Sequence, residues 1–259
     1  MKTTAMKTRR PEKRVARGQG NLAALMSSKW QNWTSPQKFL GHLHKLGKPA
    51  LDPCSNAASR TGALIEWFGT ESYHRDEAVR AYEDGCKKLE KTPTAAQRDQ
   101  ASARAAAALQ SALQVATAQG RKVSAKDGLG ESWASQGLIS YAYWNPPFDM
   151  LASWLKKGAD EGDAGVESVG LFPARTDTVA FHEQVFARAN AGVFWRGRIN
   201  FDNPPAPPAG EEAPARLPGG TFPPFVAYYG SRVDEFFAAF EGTGELCRLN
   251  TRVYSEDAP

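Results

Sequence analysis

The stretch Tyr141-Ala142-Tyr143-Trp144-Asn145-Pro146-Pro147-Phe148 is an apolar run that ends in an amide, two prolines and a ring. Ile139 to Trp144 has the length and composition of a buried strand. Neither proline has an N–H, so the strand ends in a stiff turn and the Pro146 carbonyl is left to face a ligand. An exocyclic amino group on a nucleobase or an amide is a poor nucleophile, because its lone pair is delocalised. The Asn145 and Pro146 carbonyls can each accept one of its hydrogens, which returns the lone pair to nitrogen. Phe148 adds a flat face on which a planar group can stack. The plain alternative is a turn after a strand, for which two prolines suffice.

Working outward from this run, strands and helices alternate. Asp149 reads as the cap of a helix carrying Met150, Leu151, Trp154 and Leu155. Val166–Phe172 is a strand, Asp177 caps a helix with Val179, Val185, Phe186 and Ala189, and Val193–Trp195 is a strand. Residues 203–218 form a Pro-rich loop. Phe225–Tyr229 is a strand, residues 234–241 a short helix and Leu246–Val253 a last strand. Such alternation predicts an α/β fold, a mostly parallel sheet with helices on both faces. Ligands then sit beyond the C-terminal ends of the strands. Asp52, Asp127 and Asn145 are all placed to reach that edge.

Toward the N-terminus, residues 1–27 are basic and poor in apolar periodicity, which predicts a disordered tail ahead of one domain over 28–259. Ser35-Pro36 opens a helix, capped by Thr34 or Ser35, with Phe39, Leu40, Leu43 and Leu46 on one face. Pro49 to Asp52 is a short buried strand, and Ala63–Phe68 is apolar but of undecided type. A helical hairpin spans 76–126. Its first helix carries Val79, Tyr82, Cys86 and Leu89. Its second opens on a Thr94/Gln97 capping box and runs, rich in alanine, to Gly120.

The net charge of +4 is unevenly spread. Residues 1–17 hold seven Lys or Arg against Glu12, and residues 87–126 hold eight against Glu90 and Asp99, so the remainder is acidic. Two basic segments on an acidic body suit a polyanion, the hairpin contacting the backbone of DNA; a solvated helix face is the bland alternative. Cys54, Cys86 and Cys247 are far apart and make neither a metal spacing nor a disulfide framework, which fits a reducing cytoplasm. His42, His44, His74 and His182 form no ligand pattern, so no metal is expected. No apolar run reaches membrane-span length.

Several segments occur in one order: Trp33-Thr34-Ser35-Pro36, then Asp52-Pro53-Cys54-Ser55-Asn56, then Asp127-Gly128-Leu129 with Trp133. Asn145-Pro146-Pro147-Phe148, Pro173-Ala174-Arg175-Thr176-Asp177-Thr178 and Gly197-Arg198-Ile199-Asn200-Phe201 follow. The ordered set resembles the phage-type, Dam-like DNA adenine-N6 methyltransferases common in bacteriophages and prophages. The resemblance covers about residues 30–75 and 127–230. It implies a Rossmann-like methyltransferase fold, S-adenosylmethionine as donor and adenine in double-stranded DNA as acceptor, in a bacterial or phage-infected cytoplasm. Asn145, Pro146, Pro147 and Phe148 then correspond to the catalytic segment. Asp52, with Pro53 and Cys54, corresponds to the donor loop. Thr34 and Pro36 correspond to a segment near the donor's methionine part, and Asp127 to one near its adenine. Arg175 and Arg198, with Lys87, Lys88, Lys91, Arg98 and Arg104 on the hairpin, are candidate DNA contacts.

The chain departs from the family pattern at Phe148, where Tyr is frequent, and at Asn200, where a basic residue is common. The loop after Asp52 lacks Gly-x-Gly, and the hairpin is an insertion. Alternatives at single residues are a helix cap for Asp52, turn chemistry for Asp127, a helix-end contact or a pair with Asp177 for Arg175, and core packing for Trp30, Trp33, Trp133 and Trp144. Cys54 beside Pro53 raises covalent catalysis, which a base at Asn145 does not need. Rival functions are cytosine-N4 methylation, methylation of a glutamine amide, and DNA binding by a decayed methyltransferase fold.

Overall fold

The computed structural model describes residues 34–201 and 222–250. The basic segment 1–27, Trp30, Trp33, the Pro-rich loop 203–218 and the end of the predicted last strand lie outside the described residues. In chain order the elements are α1 (Gln37–Leu43), β1 (Leu51–Asp52), β2 (Ile65–Trp67), α2 (Glu71–Lys88), α3 (Ala95–Ala118), β3 (Val123–Ser124) and β4 (Ala142–Trp144). They continue with α4 (Leu151–Asp163), β5 (Ser168–Pro173), α5 (Val179–Phe181, running into a π turn over His182–Phe186), β6 (Ala191–Trp195), β7 (Pro224–Tyr229), α6 (Val233–Phe240) and β8 (Gly244–Arg248).

The strands form one mixed sheet in the order β3-β2-β1-β4-β5-β7-β6-β8. The pairs from β3 to β5 are all parallel. β7 runs antiparallel to both β5 and β6, and β8 antiparallel to β6, so the sheet is mostly parallel. This α/β arrangement is compatible with a Rossmann-like fold.

Alternation along the central strands sorts their side chains onto two covered faces. Tyr141, Tyr143, Val169, Leu171, Val226 and Tyr228 pack with Phe39, Leu40 and Leu43 of α1 and with Phe236 and Phe240 of α6. Ala142, Trp144, Phe172, Phe225 and Tyr229 pack on the other side with Trp154 and Leu155 of α4 and with Phe181. On that side Trp144 is fully buried beside Gly158 of α4, where even a Cβ would sit 2.4 Å from the indole ring. The glycine lets α4 close on the strand that carries the site.

Boundaries moved where local signals competed. The strand predicted from Ile139 begins at Ala142, and Ile139 is 84% exposed. α1 starts after Pro36 with no side-chain cap, because the Ser35 hydroxyl is spent on the Tyr143 hydroxyl at 2.6 Å. Neither Asp149 nor Asp177 caps a helix: α4 follows a tight turn over Phe148–Met150, and Thr178 caps α5. The last strand starts earlier than expected, at Gly244. Ala63–Phe68 contains β2, and the Thr94/Gln97 capping box is present.

The hairpin begins earlier than predicted, at Glu71, capped by Thr70, and this changes its charge. α2 carries Glu71, Asp76, Glu77, Glu83 and Asp84, and four of these acids, Glu71, Glu77, Glu83 and Asp84, pair with Arg75, Arg80, Arg98 and Lys87. The basic excess of residues 87–126 therefore does not describe the hairpin as a whole. Its apolar base, Leu109 and Ala116, packs on Phe68 and Val123 at the edge of the sheet.

Candidate functional site

Chain order reverses between β1 and β4, which are neighbours in the sheet. In an open parallel sheet such a switch point leaves a crevice beyond the strand ends. β1 ends on Asp52 and β4 ends against Asn145, so the two residues flank it.

Asn145 is the unusual residue there. Its side-chain oxygen Oδ1 is buried and accepts no hydrogen bond, and no other buried side-chain N or O among the described residues lacks a partner. An unmade bond of this kind costs about 1–3 kcal/mol. The Phe148 ring meets Phe222 edge-on, centroids 4.9 Å apart. Together they line a small apolar cleft with Leu171, Phe172, Ile199, Phe201 and Pro224. Arg175 lies two residues beyond Pro173, the last residue of β5, and exposed Arg198 directly precedes Ile199. Neither side chain has a partner among the described residues, so Arg175 holds neither Asp177 nor a helix end. The structure thus gathers Asn145, Phe148, Arg175 and Arg198 at one edge of the sheet.

The loop after β1 is organised by Asp52. Its carboxylate accepts the Cys54 N–H at 3.3 Å and the hydroxyls of Thr61 and Ser59 at 3.1 and 3.4 Å. No helix follows, so the helix-cap alternative does not apply. Burial, reinforced by the nearby Glu66 carboxylate, pushes the Asp52 acid up to about 7. Burial and Asp52 raise the Cys54 thiol well above its ordinary range, which keeps it protonated and unsuited to covalent attack. Asn145 contributes a backbone hydrogen bond to that thiol, so the two loops touch.

Other expected residues converge on the same loop. The Thr34 hydroxyl donates to the Ala58 carbonyl at 2.9 Å, while Pro36 sits at the N-cap position of α1. Gly128 lies so close that a Cβ there would fall 2.0 Å from the Pro53 oxygen. Asp127 itself is exposed and makes turn chemistry, its Oδ1 accepting the Leu129 N–H at 2.9 Å. Trp133 and Trp144 are core residues, fully buried.

Of the hairpin cations, Arg98 is paired with Glu83 at 2.6 Å and Lys87 with Asp84 at 3.2 Å, whereas Lys88, Lys91 and Arg104 are exposed. The hairpin reaches the site at its base instead. Burial and the neighbouring charges of Glu77 and Asp149, with Cys54 also contributing, hold the Tyr73 phenol above its usual range.

Sequence reasoning missed Glu66 and Arg121. Glu66 is the register partner of Asp52 across β1–β2, and its buried carboxylate is ion-paired with Arg121 at 2.5 Å. The signal was available once Ala63–Phe68 is read as a strand, since its acid then falls at the strand's C-terminal end. Among the described residues no group of three or more His, Cys, Asp or Glu could hold a metal ion, and no helix is long and apolar enough to cross a membrane. No protein-family model, curated protein or solved structure matches the chain.

Proposed function

We propose that this chain transfers a methyl group from S-adenosylmethionine to the N6 amino group of adenine in DNA. The observation that carries the proposal is the buried, unpartnered Oδ1 of Asn145 at the switch-point crevice. An amino group that donates to it and to the Pro146 carbonyl would satisfy it. Fixed acceptors of this kind are worth most when charge develops on nitrogen in the transition state.

The rest of the site supports the reading. The sheet order β3-β2-β1-β4-β5-β7-β6-β8 has its switch point between β1 and β4, which suits a ligand bound beyond the ends of those strands. The donor, when bound, supplies an electrophilic methyl group on a positively charged sulfur. The residues that would hold it are Asp52 and its loop, with Thr34 and Gly128 behind. Phe148 stacks on the acceptor ring. Asn145 and Pro146 would hold the amino nitrogen toward the methyl group that the donor supplies, and the surplus proton on nitrogen would leave to solvent. The base must first leave the duplex stack, and Arg175 and Arg198, which have no partner among the described residues, suit the flanking phosphates.

The described lining of the cleft is wholly apolar and offers no side chain to read a ring edge, which keeps cytosine N4 as the second reading. Calorimetric titration with S-adenosylmethionine tests the donor half. The proposal expects saturable one-to-one binding, and the absence of any binding heat across several temperatures contradicts it.

A further inference from the structure

We infer that Arg121, the residue leaving the base of the hairpin, is a positioning residue that sets the β1–β2 loop for the methyl donor; this rests on reading that loop as the donor site. Gly120, at φ +77°, ends α3 and turns the chain so that Arg121 faces the loop. The guanidinium then makes four hydrogen bonds. Nε reaches Glu66 Oε1 at 2.9 Å and Nη2 reaches Glu66 Oε2 at 2.5 Å. Nη2 also reaches the Asn56 carbonyl at 2.9 Å, and Nη1 the Ala57 carbonyl at 2.9 Å. Its face lies over the Phe68 ring, 5.3 Å from the centroid.

The neighbouring residues complete the hold. The Ser55 hydroxyl donates to the same Glu66 carboxylate, and Thr34 takes the Ala58 carbonyl. Residues 55 to 58 are thus fixed one after another, and Arg121 holds the two middle carbonyls. A peptide plane points its C=O and N–H in opposite directions, so turning the Asn56 and Ala57 carbonyls toward Arg121 orients the amides that follow them. The loop has no Gly-x-Gly to shape its backbone, and the planar guanidinium fork imposes a geometry in its place. Fold stability alone does not explain this choice, because a buried ion pair contributes little net stability over an apolar pair of similar size. Since Arg121 lies three residues beyond the end of α3, the hairpin and the donor loop are mechanically joined.

The test compares wild type with Arg121→Lys and with the double variant Glu66→Gln/Arg121→Met, which leaves no buried charge behind. Amide hydrogen exchange over residues 54–60 and calorimetric titration of S-adenosylmethionine are read on each. Exchange in the loop should rise at least tenfold in both variants while the central strands keep their protection, and donor affinity should fall at least tenfold. Loop exchange and donor affinity within twofold of wild type in either variant would overturn the role of Arg121. So would an even loss of protection across the whole domain, which would make Arg121 a fold residue only. If wild type itself binds no donor, the donor reading fails. The exchange comparison still decides separately whether Arg121 orders the loop.

Discussion

Asp52 and Glu66 are direct partners across the parallel pair β1–β2, and the two carboxylates are held differently: Glu66 by the Arg121 cation, Asp52 by hydroxyls and an amide N–H. Asp52, raised to about 7, keeps its proton in the folded protein at pH values where the unfolded chain has already lost it. Stability should therefore fall as pH rises from about 4 to about 7, by roughly 2–4 kcal/mol from this group. Urea unfolding of wild type and Asp52→Asn at pH 5 and pH 8 checks it. The difference between the two proteins should change with pH, and a constant difference contradicts the assignment.

Donor affinity should carry the opposite sign. A cationic group bound near Asp52 favours the carboxylate, so binding should tighten as pH rises through 7, by up to about tenfold per unit below that point. Titrations between pH 6 and 8 read this. Asp52→Asn should weaken binding and remove its pH dependence. A pH-independent affinity in wild type would place the donor's charge elsewhere.

Asn145→Ala separates function from fold. Deleting a buried acceptor that has no partner among the described residues removes a cost of about 1–3 kcal/mol, so the variant should melt no lower than wild type. Turnover should drop roughly 10²–10³-fold with donor binding unchanged. A clear loss of thermal stability would mean that Asn145 is a structural residue.

Gly128→Ala should force the segment after β3 away from Pro53, whose oxygen the new methyl would meet at 2.0 Å. Overpacking of this kind costs about 1–3 kcal/mol. Donor affinity should fall with it, because Pro53 belongs to the donor loop. An unchanged melting temperature and affinity would show that the two segments part freely.

Arg175→Ala and Arg198→Ala should each flatten the salt dependence of DNA affinity, by roughly 0.9 log units for every phosphate that the variant no longer neutralises. Neutralising Lys87 and Arg98 should do less, since both are already paired within the hairpin. If the hairpin set carries the whole slope, DNA lies across the arm and not across the cleft.

Much of this architecture was legible before the structure, for reasons that particular residues show. Asn145 and Asp52 end apolar runs, so alternation alone puts them at the C-terminal edge. The antiparallel course of β7 was not legible, because a strand buried on both faces shows the same apolar run in either direction. Glu66 was hidden in a segment too short to type. Arg121 was counted with the free cations of residues 87–126, since charge along a sequence does not show which guanidinium faces a carboxylate. The same limit inflated the hairpin's apparent basicity, because several of its acids sit in α2 ahead of residue 87.

The most direct test is nucleoside mass spectrometry of methylation-free duplex DNA incubated with the protein and S-adenosylmethionine. Wild type should produce N6-methyladenine, and Asn145→Ala should produce roughly 10²–10³-fold less under the same conditions. N4-methylcytosine in its place would move the acceptor to the second reading. No methylated base from a wild-type protein that binds the donor, or equal product from both proteins, would contradict the proposed role of Asn145.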